Sequence, residues 1–185
     1  MSAPVVAAAP APADPQLLAR GLAAFRIFFG LILFTNGLAK LFEFRTLELG
    51  PYSSFLINKA EARRILEFET NRRGGDGTEL PLLPELVNDV MLPGWDVFQW
   101  LVTALELGAG AALILGIATR GAALAALGQQ LFLQLVYLSS GRWAFEQPHE
   151  WVPLVILALI PAGRVWGFDR RLVHRGLRRF DGWPF

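Results

Sequence analysis

The sequence contains no cysteine and only two histidines in 185 residues. A chain without cysteine can form no disulfide, no thiolate metal site and no dithiol redox couple. Charged residues are also few, at 18% of the sequence, whereas hydrophobic residues make up 54% and the mean hydropathy is +0.40. This composition is too apolar for an ordinary soluble domain. The net charge of +1 argues against nucleic acid as a partner.

Four apolar stretches account for most of this hydrophobicity, at about residues 21–42, 96–117, 121–139 and 150–163. The first three are long enough for helices that cross a hydrocarbon layer of about 30 Å, which takes roughly 20 residues. The fourth is strongly apolar only over Trp151–Ile160. We still expect it to span, because otherwise the arginine-rich carboxyl end would lie on the outer side of the membrane. The predicted fold class is therefore all-α, a polytopic membrane four-helix bundle.

Arginines gather at one set of helix ends, at Arg20, at Arg120 and in the run that begins with Arg164. Cytoplasmic flanks of membrane helices carry an excess of Lys and Arg, so both termini are expected in the cytoplasm. The predicted organisation is a disordered or extended Ala/Pro arm over 1–15, a transmembrane domain over 16–167 and a basic tail over 168–185.

The extracytoplasmic loop, residues 45–95, is longer than a simple connection needs. Asn58 and Glu61 have the spacing of a helix capping box, and Pro84 suits the first turn of a second short helix. The loop is therefore expected to be partly helical and to form a lid or a docking platform.

Small residues predict where the helices pack closely. Gly30 and Gly37 lie two turns apart on one face of the first helix, and Gly108, Ala112 and Gly116 follow at four-residue spacing in the second. Such stripes allow the backbones of membrane helices to approach each other. The short connection between the second and third helices also predicts that these two are antiparallel neighbours.

The tail is predicted to be an amphipathic helix capped by Asp169, with apolar residues on one face and basic residues on the other. A basic amphipathic helix lies in the headgroup plane, so anionic lipid headgroups are the expected partner; docking to an acidic protein surface is the alternative. The residues assigned to the membrane surface are Arg170, Arg171, Arg175, Arg178 and Arg179.

Glu106 is the most informative single residue, because it lies about halfway along the second apolar stretch between two leucines. An ionisable group at that depth costs at least about 2.5 kcal/mol and normally faces the bundle interior with a partner. Arg26 or Gln130 is the expected partner. Two interpretations stay open: a buried pair that fixes helix packing, or a proton-accepting, quinone-binding carboxyl, with Glu106 and Arg26 as catalytic residues. Lys40, near the outer end of the first helix, is expected to extend its ammonium to the interface.

Other polar residues at membrane depth are candidates for binding a quinone or a pigment: Asn36, Gln130, Gln134 and His149. Hydrogen bonding between helices is the alternative use of the amides. His149 could ligate haem iron or a chlorophyll magnesium, or it could be an ordinary interfacial histidine. No second intramembrane histidine completes a haem site, no metal-ligand spacing is evident, and no motif marks a self-sufficient enzyme.

Short motifs connect the chain to a known family. They run over Arg26–Gly30 and Asn36–Leu41 in the first helix, Glu106–Gly110 in the second, and Leu115–Arg120 across the hairpin. With these motifs the chain resembles the DoxX-like family of small four-helix bacterial membrane proteins, which includes the DoxD-type small subunit of thiosulfate:quinone oxidoreductase. The resemblance implies a bundle in the bacterial inner membrane, associated with redox or quinone-linked complexes.

Two functional hypotheses follow. In the first, the protein is an accessory subunit of a larger respiratory or photosynthetic electron-transfer complex, where it contributes assembly and contacts with lipid and other membrane subunits. In the second, it is a quinone-reducing subunit in which Glu106 accepts a proton while Asn36, Gln130 and Arg26 hold the headgroup. A transporter is disfavoured, because no internal repeat is visible.

Overall fold

The computed structural model describes residues 14–72, 77–174 and 184–185. Helices predominate in these parts of the chain. In chain order the elements are α1 (Pro15–Phe42), β1 (Thr46–Leu49), β2 (Tyr52–Phe55), α2 (Lys59–Asn71), α3 (Leu83–Glu85) with its π-helical continuation Leu86–Met91, α4 (Trp95–Leu115), α5 (Thr119–Tyr137) with a 3-10 turn at Leu138–Ser140, α6 (Pro148–Leu159), a 3-10 turn at Ala162–Arg164, and α7 (Asp169–His174).

Three helices, α1, α4 and α5, are long and apolar enough to cross a membrane. The protein is therefore a multi-pass integral membrane protein, as the hydropathy predicted. α6 is shorter: its 12 residues rise about 18 Å at 1.5 Å per residue. The apolar stretch predicted at 150–163 is divided between α6 and the Ala162–Arg164 turn, with Pro161 between them. A full crossing by this fourth segment stays a prediction.

The closest helix contact joins α1 and α4, which run antiparallel. A Cβ added to Gly30 would lie 2.8 Å from the backbone nitrogen of Ile114, and one added to Gly37 would lie 2.9 Å from that of Leu107. Both glycines therefore serve close packing, as predicted. The predicted stripe on α4 is wrong in its first member: nothing lies within 4 Å of a Cβ on Gly108, and Gly110 makes the close contact instead.

α5 packs against both α4 and α6. A sharp turn leads from α4 into α5, and its residue Ala118 has a φ of +47°. Arg120 Nε donates to the Ala158 carbonyl over 2.9 Å, and Trp151 Nε1 donates to Gln134 Oε1 over 3.1 Å, so α5 and α6 are held together near both ends. We call the end of the bundle that carries Arg120 the arginine end and the opposite end the loop end.

The loop-end segment, which comprises residues 43–72 and 77–94, differs in part from the prediction. It begins with an antiparallel hairpin, β1 and β2, whose two-residue turn starts at Gly50 with a φ of +61°. That hairpin was not predicted; the loop was expected to be only partly helical, and the hairpin occupies part of the remainder. The predicted cap of α2 is confirmed, because Asn58 Oδ1 accepts from the Glu61 N–H over 2.9 Å. The short helix at Pro84 is also present.

α2 and the π-helical turn cover the loop end of the bundle. Leu66, Val87, Trp95 and Val136 form a buried cluster that joins them to α4 and α5. A second contact is polar: the buried Glu69 carboxylate accepts hydrogen bonds from Ser140 and Arg142. The loop-end segment is therefore fastened over the helices.

A polar latch closes the arginine end. Arg26 is fully buried and donates to the carbonyls of Ala162 and Trp166, at 3.3 and 3.0 Å. The carboxylate of Asp169, also fully buried, accepts from the Ala118 and Thr119 N–H groups at 2.6 and 3.1 Å. The expectation that Asp169 caps the tail helix is thus corrected: its carboxylate satisfies the orphan donors at the start of α5.

Two predicted regions fall mainly outside the described residues. The Ala/Pro arm is described only from Asp14, whose side chain accepts from the Gln16 N–H over 2.9 Å at the start of α1. Of the five arginines assigned to the membrane surface, the described part of the chain contains Arg170 and Arg171, both exposed. Arg175, Arg178 and Arg179 lie outside it.

Candidate functional site

Glu106 forms a buried ion pair inside the membrane-spanning part of the protein. Its Oε2 lies 2.8 Å from Lys40 Nζ, and the two side chains are only 8% and 3% exposed. The helices bring them together because Lys40 lies three residues beyond Gly37 on the α1 face that packs against α4. The expected position of Lys40 at the membrane interface is therefore wrong. The ammonium stays within the protein, where it donates to Glu106 and to the Ile57 carbonyl of the loop-end segment.

The third member of the cluster is Gln129 on α5. Its Nε2 donates to Glu106 Oε1 over 2.9 Å, so both carboxylate oxygens of Glu106 have a donor. The other amide atom of Gln129, Oε1, is buried and has no hydrogen-bond partner among the described residues. Lys40 uses two of its three N–H donors, on Glu106 and on the Ile57 carbonyl at 3.0 Å. Within the part of the chain that the structure describes, the cluster thus keeps one donor and one acceptor without a hydrogen-bond partner.

A cavity of about 130 Å³ lies against this cluster. Its polar lining comes from Lys40, Glu106, Gln129 and Tyr137, and the rest of its wall is almost entirely apolar. Trp95 and Met91 close it from the loop side, and Phe132 lies on the α5 side. Roughly 150 Å³ of apolar cavity is enough to hold one benzene molecule. At about 130 Å³ the space is close to that size, and it limits a ligand to a single six-membered ring.

The Ile57 backbone ties the cluster to the loop-end segment. Its N–H donates to Asn36 Oδ1 over 3.2 Å, and its carbonyl accepts from Lys40 over 3.0 Å. Asn36 and Lys40 are one turn apart on α1. Two side chains of one helix therefore hold Ile57, the second residue after β2. Asn36 thus helps to hold Ile57, which lines the cavity and also accepts a hydrogen bond from Lys40.

The structure does not bring Arg26 to Glu106. Arg26 lies 14 positions before Lys40 on α1, about 21 Å along the axis at 1.5 Å per residue. It belongs to the latch at the arginine end. The expected pairing of Glu106 with Arg26 is therefore corrected: the cation that pairs with Glu106 is Lys40.

The remaining candidates are spread over α5 and α6. Gln130, beside Gln129 in sequence, does not line the cavity, and its buried Oε1 has no partner in residues 14–72, 77–174 or 184–185. Gln134 accepts from Trp151 Nε1, the interhelical use that was the alternative for these amides. His149 is exposed in the first turn of α6, with Nδ1 3.1 Å from the Phe145 carbonyl oxygen. Among the residues that the structure describes, no three His, Cys, Asp or Glu side chains are grouped for a metal ion.

Sequence reasoning located Glu106 but missed both of its partners. A signal for Lys40 was present: Gly30, Leu33, Gly37 and Lys40 follow the three-and-four spacing of one helix face, and all four are buried. No comparable signal favoured Gln129 over Gln130. Adjacent residues on a helix point 100° apart, and the rotation of α5 about its axis decides between them.

Comparison with known proteins bears on the same helices. The family model described as DoxX matches residues 76–138, about a third of the chain, which covers α4 and α5 with Glu106 and Gln129. The match confirms the resemblance seen in the motifs and does not extend to Lys40. No curated protein and no solved structure matches the chain significantly.

Proposed function

We propose that this DoxX-like membrane protein is a subunit of a larger electron-transfer complex, in which its intramembrane cavity binds the headgroup of a quinone. The observation that carries the proposal is the cluster of Lys40, Glu106 and Gln129 on the wall of an otherwise apolar cavity. A quinone headgroup is an apolar ring with two opposed carbonyl oxygens, and it reaches the protein from the hydrocarbon layer.

The unused groups of the cluster suit both redox forms of such a ring. The third N–H of Lys40 can donate to a quinone carbonyl, and Gln129 Oε1 can accept from a quinol hydroxyl. Reduction of the ring consumes two electrons and two protons. The electrons would come from a flavin or metal centre of a partner subunit, and Glu106 would take up protons and pass them to the ring oxygens.

Fluorescence of Trp95 provides a direct binding test, because its indole lines the cavity and a quinone ring in contact with it quenches its emission. The full chain in mild detergent is titrated with a short-chain quinone. Trp95→Phe should remove most of the saturable quenching. Glu106→Gln should weaken binding, while the matched change Glu67→Gln, at an exposed position of α2, should leave it unchanged.

Two outcomes would contradict the proposal. One is quenching that rises linearly with quinone concentration and persists in Trp95→Phe. Such quenching would report quinone that partitions into the detergent and does not bind in the cavity. The other is saturable binding of equal affinity in wild type and Glu106→Gln. In the assembled complex, Glu106→Gln should also stop quinone reduction by the subunits that remain assembled, when activity is measured per assembled subunit.

A separate observation supports membership of a complex, which is the first hypothesis above. Exposed aromatic side chains occur on the loop-end segment, outside the membrane spans, at Tyr52, Phe55 and Phe68. Contiguous exposed apolar patches mark contacts with a protein or a membrane surface, and we propose that these three side chains contribute to such a contact. Purification in mild detergent should therefore retain partner subunits in fixed stoichiometry. A monodisperse lone protein with full quinone-reducing activity would refute this part.

A further inference from the structure

Three exposed arginines at the arginine end have no ion-pair partner in the part of the chain that the structure describes: Arg164, Arg170 and Arg171. They flank the connection between α6 and α7. Between them, Trp166 and Phe168 are 61% and 43% exposed. Two large aromatic side chains thus lie between exposed arginines along one short segment.

Backbone hydrogen bonds place this segment where α4 ends. The Phe168 N–H donates to the Leu115 carbonyl over 3.1 Å, and the Asp169 N–H donates to the Gly116 carbonyl over 2.7 Å. Leu115 is the last residue of a helix long enough to span the bilayer. The segment therefore lies at the level where hydrocarbon gives way to headgroups, which is where exposed Trp and Arg are favoured in membrane proteins.

The latch described above holds the segment in one conformation. Trp166 has a φ of +51°, a region that residues other than glycine adopt only at a cost, and the Arg26 guanidinium binds its carbonyl over 3.0 Å. The Asp169 carboxylate fixes the other side on Ala118 and Thr119. Buried charges thus set the backbone, and the side chains of Trp166 and Phe168 project outward from it.

The outward side chains line an open groove of about 530 Å³. Arg164, Arg170 and Arg171 line it together with Trp166 and Phe168. The Arg171 guanidinium lies 5.4 Å from the centre of the Phe168 ring, a cation–π contact that steadies its position. The groove therefore combines preorganised cations with an apolar wall.

We propose that this groove is a binding site for the headgroup of an anionic phospholipid, with the arginines on the phosphate and Trp166 and Phe168 against the glycerol and the first acyl carbons. Guanidinium groups bind phosphate oxygens through paired N–H donors. A soluble phosphate compound would need only the cations. The exposed aromatic side chains at membrane level match a ligand that also has an apolar part.

Native mass spectrometry of the full chain tests the site. The protein is released from mild detergent that contains equal amounts of phosphatidylglycerol and phosphatidylcholine. Wild type should retain phosphatidylglycerol preferentially. Each arginine near an anionic lipid is worth about 1 kcal/mol, or about fivefold in affinity, so Arg164→Gln/Arg171→Gln should weaken retention by about 25-fold. Trp166→Ala should weaken it as well.

The matched control is Arg63→Gln, which should leave retention unchanged. Arg63 is an exposed arginine of α2 at the loop end and forms no ion pair with the residues that the structure describes. Inorganic phosphate and soluble glycerophosphoglycerol, added at the same concentration as the lipid, should not displace it. The proposal is overturned if the two lipids are retained equally, if the double variant retains phosphatidylglycerol like wild type, or if the soluble phosphates displace it. Circular dichroism checks that the variants stay folded.

Discussion

The ion pair between Lys40 and Glu106 yields the sharpest prediction about stability. Both side chains are almost fully buried, so solvent screens their attraction little. Removing one partner of a buried pair leaves an uncompensated charge and typically costs about 3–5 kcal/mol. Lys40→Met is therefore expected to lower the unfolding free energy by about that amount. For a chain of this size the loss corresponds to a fall of roughly 6–20 °C in Tm.

A double-mutant cycle separates the pair from its surroundings. Lys40→Met and Glu106→Met are each expected to destabilise, because each leaves the other charge buried. The double variant removes both charges, and apolar replacements for a buried pair are often neutral. It should therefore be no less stable than either single variant, although the Ile57 carbonyl and the Gln129 amide lose a partner.

The measurement is the midpoint of thermal unfolding in mild detergent, followed by tryptophan fluorescence. Arg64→Met is the control, since the ion pair between Arg64 and Glu61 lies at the surface, where such pairs contribute little. It should not shift the midpoint. The reasoning would be refuted if Lys40→Met behaved like this control, or if the losses of the two single variants simply added in the double variant.

Two further predictions concern packing and capping, and both are checked by the same unfolding midpoint. Gly30→Ala should destabilise because its Cβ would meet the Ile114 backbone at 2.8 Å, whereas Gly108→Ala should be neutral or stabilising, because its Cβ meets nothing within 4 Å and alanine favours a helix; equal effects would contradict the packing described here. Asp169→Asn should cost about 1–3 kcal/mol, because it replaces a buried charged acceptor for the Ala118 N–H, and an unchanged midpoint would show that the latch contributes nothing.

Hydropathy was sufficient to predict the three long helices, because a stretch of about 20 apolar residues has few alternatives to a membrane span. The cost of an ionisable group in hydrocarbon was sufficient to select Glu106. The partner of Glu106 was missed because pairing depends on how α1 and α4 rotate and slide against each other. The buried positions Arg26, Gly30, Gly37 and Lys40 lie on one face, so the glycine stripe contained that information.

The other predictions that differ from the structure concern residues in, or in contact with, segments outside the three membrane-spanning helices. Lys40 was expected at the interface because the rule for helix ends assumes water there, and the loop-end segment excludes it. Asp169 was expected to cap its own helix because local spacing allows that. Its carboxylate bonds to residues 118 and 119, a contact far along the chain that no local pattern reveals. The β-hairpin has a local signal at Gly50, because glycine readily adopts the positive φ that the turn requires.

Photolabelling with an azidoquinone most directly tests whether a quinone enters the cavity. The full chain in native membranes is labelled, digested and analysed by mass spectrometry. The account predicts label on the cavity-lining residues Met91, Val102 or Leu133, suppressed by excess short-chain quinone and weakened in Glu106→Gln. Label confined to outward-facing residues such as Leu101 and Leu131, and insensitive to competitor, would contradict it.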